Sequence, residues 1–184
     1  NYEGGDQSYD INVTSNDGEN NISRDFTITV NNVTGGGVDQ DGYISGATGI
    51  LYDIDDPDTI IETFTTDSNG RYKIFTQISD LPDTFTVSFT GGTDIATDLS
   101  VNRTFTNTST KTKVERNNDI IAVNVTPITT MITELITNDI YNISSVDSAI
   151  SIITNALNIT ENDLQKDFIE SSDAKKAKIV SQIE

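Results

Sequence analysis

Two period-two runs open the chain. Tyr9, Ile11 and Val13 alternate with Asp10, Asn12 and Thr14; Phe26, Ile28 and Val30 alternate with Thr27, Thr29 and Asn31. The loop residues Asn16-Asp17-Gly18-Glu19-Asn20-Asn21 separate them, so residues 1–34 read as a strand pair with one apolar face. Burying those six apolar side chains is worth on the order of 10 kcal/mol before ordering entropy is subtracted. Two strands do not make a stable domain alone, so the pattern predicts that this pair meets strands from outside the chain, with packing on the 38–126 region as the alternative. Gly35-Gly36-Gly37 then reads as a flexible joint.

From residue 38 to 126 short strand patterns recur between turn signals. They include Tyr43 to Ile54, Tyr72-Lys73-Ile74-Phe75 after the turn Asp67-Ser68-Asn69-Gly70, and Phe85, Val87 and Phe89 alternating with Thr84, Thr86, Ser88 and Thr90. Val101 to Phe105 and Ile121 to Val125 complete the set, and the spacing predicts a β-sandwich. After Thr126-Pro127 the period becomes helical. Thr126 is the expected N-cap, Pro127 the first helical residue, and Ile128, Met131, Ile132, Leu135 and Ile136 the apolar stripe. A second helix starts at Ser144-Ser145-Val146-Asp147, a third runs from Thr160 through Phe168, and Ala174, Ala177 and Val180 mark a fourth. The fold class expected is therefore mainly β with a C-terminal α region: a β-sandwich of the Ig-like or prealbumin-like kind over 38–126, and a small helical bundle over 127–184.

Composition removes whole classes of function. Among 184 residues there is no His, Cys or Trp, which excludes Ser-His-Asp and Cys-His catalysis, His- or Cys-ligated zinc and iron–sulfur clusters. With 29 acidic against 11 basic residues the net charge is −18, and such a surface repels nucleic-acid phosphate. No apolar run approaches the ~18 residues of a membrane span. Carboxylate pairs abound, but with 7% aromatics a sugar-stacking cleft is hard to assemble, and the chain is not read as an enzyme. It starts at Asn1 rather than Met and stops in mid-pattern, as expected of a piece of a longer precursor.

Tyr2-Glu3, Tyr9-Asp10-Ile11-Asn12-Val13, Asn16-Asp17-Gly18 and Phe26-Thr27-Ile28-Thr29-Val30-Asn31-Asn32-Val33 resemble the last strands of a cadherin-type repeat. That resemblance implies calcium between tandem domains, with Glu3 and Asp17 at matching positions, whereas Asn32 and Thr34-Gly35 depart from the motif. Asp41-Gly42-Tyr43-Ile44-Ser45-Gly46-Ala47, Thr66-Asp67-Ser68-Asn69-Gly70-Arg71-Tyr72 and Thr126-Pro127-Ile128-Thr129-Thr130 resemble the carboxypeptidase-regulatory-like (prealbumin-like) sandwiches of large bacterial surface proteins. This second likeness implies an extracellular, non-catalytic, adhesive or load-bearing module.

Three kinds of site are expected. Asp53, Asp55, Asp56, Asp58 and Glu62 form the densest acidic cluster, whose hard oxygen ligands suit calcium, although Pro57 breaks the EF-hand pattern. Asn-x-Ser/Thr sequons at Asn12, Asn21, Asn102, Asn107, Asn142 and Asn158 are candidate glycan acceptors; those at Asn32 and Asn124 are poorer, by strand phase and a following proline respectively. Lys73 and Lys113 are the lysines considered for an intramolecular Lys–Asn cross-link. The function expected is an extracellular or cell-surface structural module: a glycoprotein adhesin, or a filament subunit joined by strand addition. Its partners would be copies of itself or other domains of the same precursor. The alternative is a calcium- or carbohydrate-binding accessory module of a larger exported enzyme.

Overall fold

The computed structural model describes residues 7–16, 21–30, 35–38, 43–116, 121–143, 145–164 and 166. In chain order the strands and helices are β1 (Gln7–Asn16), β2 (Asn21–Val30), β3 (Gly35–Val38), β4 (Ile44–Ser45), β5 (Thr48–Asp53), β6 (Asp56–Thr65), β7 (Arg71–Ile74), β8 (Thr84–Thr90), β9 (Thr93–Asp94), β10 (Thr104–Thr110), α1 (Lys111–Arg116), β11 (Ile121–Ala122), α2 (Pro127–Thr137), α3 (Val146–Leu157) and α4 (Glu161–Leu164). The protein is mainly β, in several small and largely antiparallel sheets, with a few helices. It divides into two compact units, residues 1–33 and 34–184. The part of the expected third helix beyond Leu164 and the whole of the fourth lie outside the described residues.

The first unit holds the hairpin that the alternation predicts, β1 and β2 antiparallel over ten rungs from Gln7–Val30 to Asn16–Asn21. In the second unit, four strands run in the order β10-β8-β5-β6 and three in the order β11-β3-β7, while β4 and β9 pair separately. The tri-glycine differs from the expected joint. Gly35–Val38 is the middle strand of its sheet, antiparallel to β7 and parallel to β11, because a main chain without side chains can enter between two strands and satisfy both. Ile121 to Val125 was expected as one strand, yet only Ile121–Ala122 belongs to β11. β6 was not expected at all. Its Asp, Pro and Thr residues read as a turn, but the strand follows a tight turn at Ile54–Asp55 and pairs with β5.

Phe85, Val87 and Phe89 of β8 point into a core shared with Leu51, Tyr72, Ile74, Phe105, Val123 and Val125. Phe64 stacks on Tyr72 at 5.1 Å between ring centroids, and Phe89 meets Tyr72 edge-on at 4.7 Å. Gly49 of β5 lies against this aromatic group: a Cβ there would sit 2.3 Å from the Phe64 ring and 2.5 Å from that of Phe89. The expected turn at Asp67–Gly70 is present. The Asp67 carboxylate accepts the backbone N–H groups of Asn69 and Arg71, and Gly70 takes a φ of +71° beside Tyr43. Those two hydrogen bonds hold the Asp67 pKa below its ordinary value.

Thr86 and Ser88 are buried as well, beside the place where α2 packs against β10. The N-cap of α2 is the expected one: Thr126 Oγ1 accepts from the Thr129 N–H at 3.1 Å, Thr129 Oγ1 accepts from the Thr126 N–H at 2.8 Å, and Pro127 is the first helical residue. The helix meets the sheet through hydroxyls. Thr86, Thr108 and Thr133 form a chain with 2.8 and 3.0 Å steps, and Thr129 Oγ1 donates to the Thr106 carbonyl. On its other side α2 packs Ile128 and Ile132 against Ala149 and Ile153 of α3 and Leu164 of α4.

Candidate functional site

The hairpin carries a two-faced pattern. On one face three directly opposed polar pairs are joined: Thr27 donates to Asp10 at 2.8 Å, Asn12 to Asp25 at 2.6 Å, and Thr14 shares a 2.7 Å hydrogen bond with Ser23. All six residues are exposed, so this is a water-facing ladder. The intervening rungs pair Tyr9 with Ile28 and Ile11 with Phe26, and Ile11 is 40% exposed. The sheet has two strands only, so among the described residues no third strand pairs with either outer edge.

The five carboxylates of the acidic stretch do not converge. Asp53 ends β5 and opposes Asp56 at the start of β6, with the Asp53 carboxylate accepting the Asp55 N–H at 3.0 Å. Asp58 is exposed further along β6. Glu62 is half-buried and already engaged: it accepts the Phe75 N–H at 3.0 Å, the Thr76 N–H at 2.8 Å and the Thr76 hydroxyl at 2.6 Å. It therefore staples β6 to the end of β7. Among the described residues no group of three or more Asp or Glu is placed to hold a metal ion, and Glu3 and Asp17 lie outside those residues.

The sequons separate by surroundings. Asn102, Asn142 and Asn158 are exposed, the last as the left-handed C-cap of α3 with φ +53°. Asn12 and Asn21 are exposed on the hairpin, where the Asn12 amide donates to Asp25. Asn107 is half-buried, and its amide nitrogen donates to the Asn124 carbonyl at 2.7 Å, which withdraws the atom a glycan needs.

Lys73 is exposed on β7. Lys113 of α1 reaches Asp147 of α3 at 2.7 Å and Glu161 of α4 at 2.5 Å. Burial alone would lower its pKa, but the hydrogen bonds and charges of the two carboxylates prevail, and the net direction is up. Lys113 thereby clamps α1 to the N-terminal ends of α3 and α4. Nothing in the local sequence signals this cluster, because its three members lie on separate helices. Burial pushes the Tyr52 phenol up, against the pull of its hydrogen bond with Thr86.

A groove of about 790 Å³ lies between the β5–β6 turn and the facing ends of α2 and α3. Ile54, Pro57, Ile136 and Val146 give it apolar walls, Asp55 and Asp147 line it as well, and it has no aromatic ring among its lining residues. Among the described residues no helix is long and apolar enough to cross a membrane. No family model matches the chain, and neither the curated proteins nor the solved structures yield a match.

Proposed function

We propose that this chain is a structural or adhesive module of an extracellular or cell-surface protein, joined to copies of itself through its N-terminal segment. In this reading the β11-β3-β7 and β10-β8-β5-β6 sheets are the faces of a sandwich of the prealbumin-like or Ig-like kind, and the hairpin is the end of a cadherin-like sandwich whose other strands come from a neighbouring copy. The hairpin carries the reading. It has a self-satisfied polar face, apolar positions on the opposite phase, and two edges without a third strand among the described residues. A strand added to such an edge supplies main-chain hydrogen bonds and covers the apolar phase at once. Donor and acceptor surfaces that differ join copies head to tail, which extends into a filament when the contact does not close.

Sedimentation velocity and negative-stain microscopy of the full chain, with and without Ile11→Asp, test this. The full chain should form multimers, and Ile11→Asp should weaken that assembly with an unchanged far-UV circular dichroism spectrum. A monomeric full chain, or a variant that assembles as well as the parent, would refute the proposal. An extracellular origin also leaves hexose mass at Asn102, Asn142 or Asn158 in material from the native source, and none at Asn107. An intact mass equal to the bare 20.0 kDa chain counts against that origin.

A further inference from the structure

We propose that β3 is an exchanged strand: in the assembled protein, Gly35–Val38 of one copy fills the slot between β7 and β11 of the next. This rests on the reading of the chain as a self-assembling module and names a second contact between the copies, beside that of the hairpin.

The walls of the slot are held without β3. The Tyr72 hydroxyl of β7 donates to the Val123 carbonyl, just beyond β11, so the two flanks are tied to each other across the sheet. Tyr72 is further held by the Phe64 and Phe89 rings, and Glu62 fixes the chain where β7 ends, at Phe75 and Thr76. Ile74, Val123 and Val125 are buried in the core. With β3 removed, this frame would present unpaired main-chain groups of β7 and β11 on both sides of a gap, a costly arrangement that demands a strand.

What fills the gap brings almost nothing of its own. Three of the four β3 residues are glycine, so its recognition is a main-chain matter: antiparallel rungs to Ile74, Lys73, Tyr72 and Arg71, and parallel rungs to Ile121 and Ala122. An identical segment from another copy makes identical bonds. The strand also stands at the edge of its unit in sequence. That unit begins at residue 34, and β3 at Gly35, so withdrawing it interrupts no other strand or helix among the described residues. Exchange costs no ladder hydrogen bond.

The chain has no cysteine, so a pair of engineered thiols reads the exchange directly. Val38→Cys with Arg71→Cys places them on register partners of β3 and β7. The doubly substituted full chain, oxidised at assembly concentration and run under denaturing, non-reducing conditions, should give bands at two or more times the chain mass. Val38→Cys chains mixed and refolded with Arg71→Cys chains should give a mixed disulfide between them. A disulfide closed only within single chains overturns the exchange; if the unsubstituted chain nevertheless sediments as multimers, self-assembly survives and only this second contact is wrong. Monomers in both assays overturn both. Gly36→Cys with Lys73→Cys repeats the measurement one register pair over where the first pair leaves its thiols reduced, and thiols that remain reduced there too overturn the exchange.

Discussion

Gly49→Ala adds one methyl group where the structure leaves no room. The new carbon would lie 2.3 Å from the Phe64 ring and 2.5 Å from the Phe89 ring, against the ~3.5–4.0 Å of a relaxed carbon contact, so the rings must part by more than ~1 Å. Phe89 is 1% exposed and edge-packed on Tyr72, and Phe64 is stacked on the same ring, so displacement of either disturbs all three. Overpacking of this kind costs about 1–3 kcal/mol, and replacing a strand glycine by alanine returns roughly 0.5–1 kcal/mol of chain entropy. A net loss of about 1 kcal/mol is expected, a fall in Tm of roughly 2–4 °C for a unit of this size. Urea unfolding followed by far-UV circular dichroism measures it. Phe64→Leu, which removes the nearer ring, should rescue the variant: the double substitution should cost at least ~1 kcal/mol less than the sum of the single ones. A Gly49→Ala chain within about 0.5 kcal/mol of the parent, or strictly additive costs, would refute the packing argument.

Glu62→Ala should destabilise by about 2–3 kcal/mol in the same unfolding assay, since two main-chain N–H groups and the Thr76 hydroxyl lose a charged acceptor; a loss below ~0.5 kcal/mol would mean that solvent replaces it freely. The raised pKa values of Tyr52 and Lys113 mean that both favour the folded state fully below their ordinary values of 10.0 and 10.5, and that this contribution fades as pH climbs past them. Thermal melts above about pH 10 should therefore show falling Tm, and Tyr52→Phe should make the fall shallower; an unchanged slope would clear Tyr52. Calcium, magnesium and a monovalent salt at equal ionic strength should raise Tm equally, as screening of the −18 charge, because the Asp53–Glu62 carboxylates are spread over β5, β6 and the turn between them. An extra rise with calcium alone would place an ion site on this chain.

The elements readable in the sequence are those whose side chains report their surroundings honestly. Alternation found β1, β2 and β8, and the Asp67–Gly70 turn and the Thr126–Pro127 helix start were legible because capping and turn chemistry are local. What was missed is contextual. β6 carries Asp56, Pro57 and Asp58, so it looked like a loop, yet such residues suit the outer strand of a sheet, where no further ladder is needed. Thr86 and Ser88 fall on the polar phase of β8 and yet are buried, and Thr86 bonds Thr108, which in turn bonds Thr133 of α2. The acidic cluster was legible as a composition but not as a geometry: Glu62 serves the end of β7, a partner that only the folded chain brings near.

The parallel rung between β3 and β11 also sets an order of events. Gly35 and Gly36 meet Ile121 and Ala122 across nearly the whole β-rich part of the chain, whereas β5–β6 and β8–β10 close between near neighbours in sequence. Loop-closure entropy must be met before so distant a rung returns anything, so the short-range hairpins form first and the β3 slot fills last. A late and small seam is also the first to open, and native-state hydrogen exchange should find the β3 amides less protected than those of β8. A folding chain would thus pass through a stage with its core formed and its slot waiting.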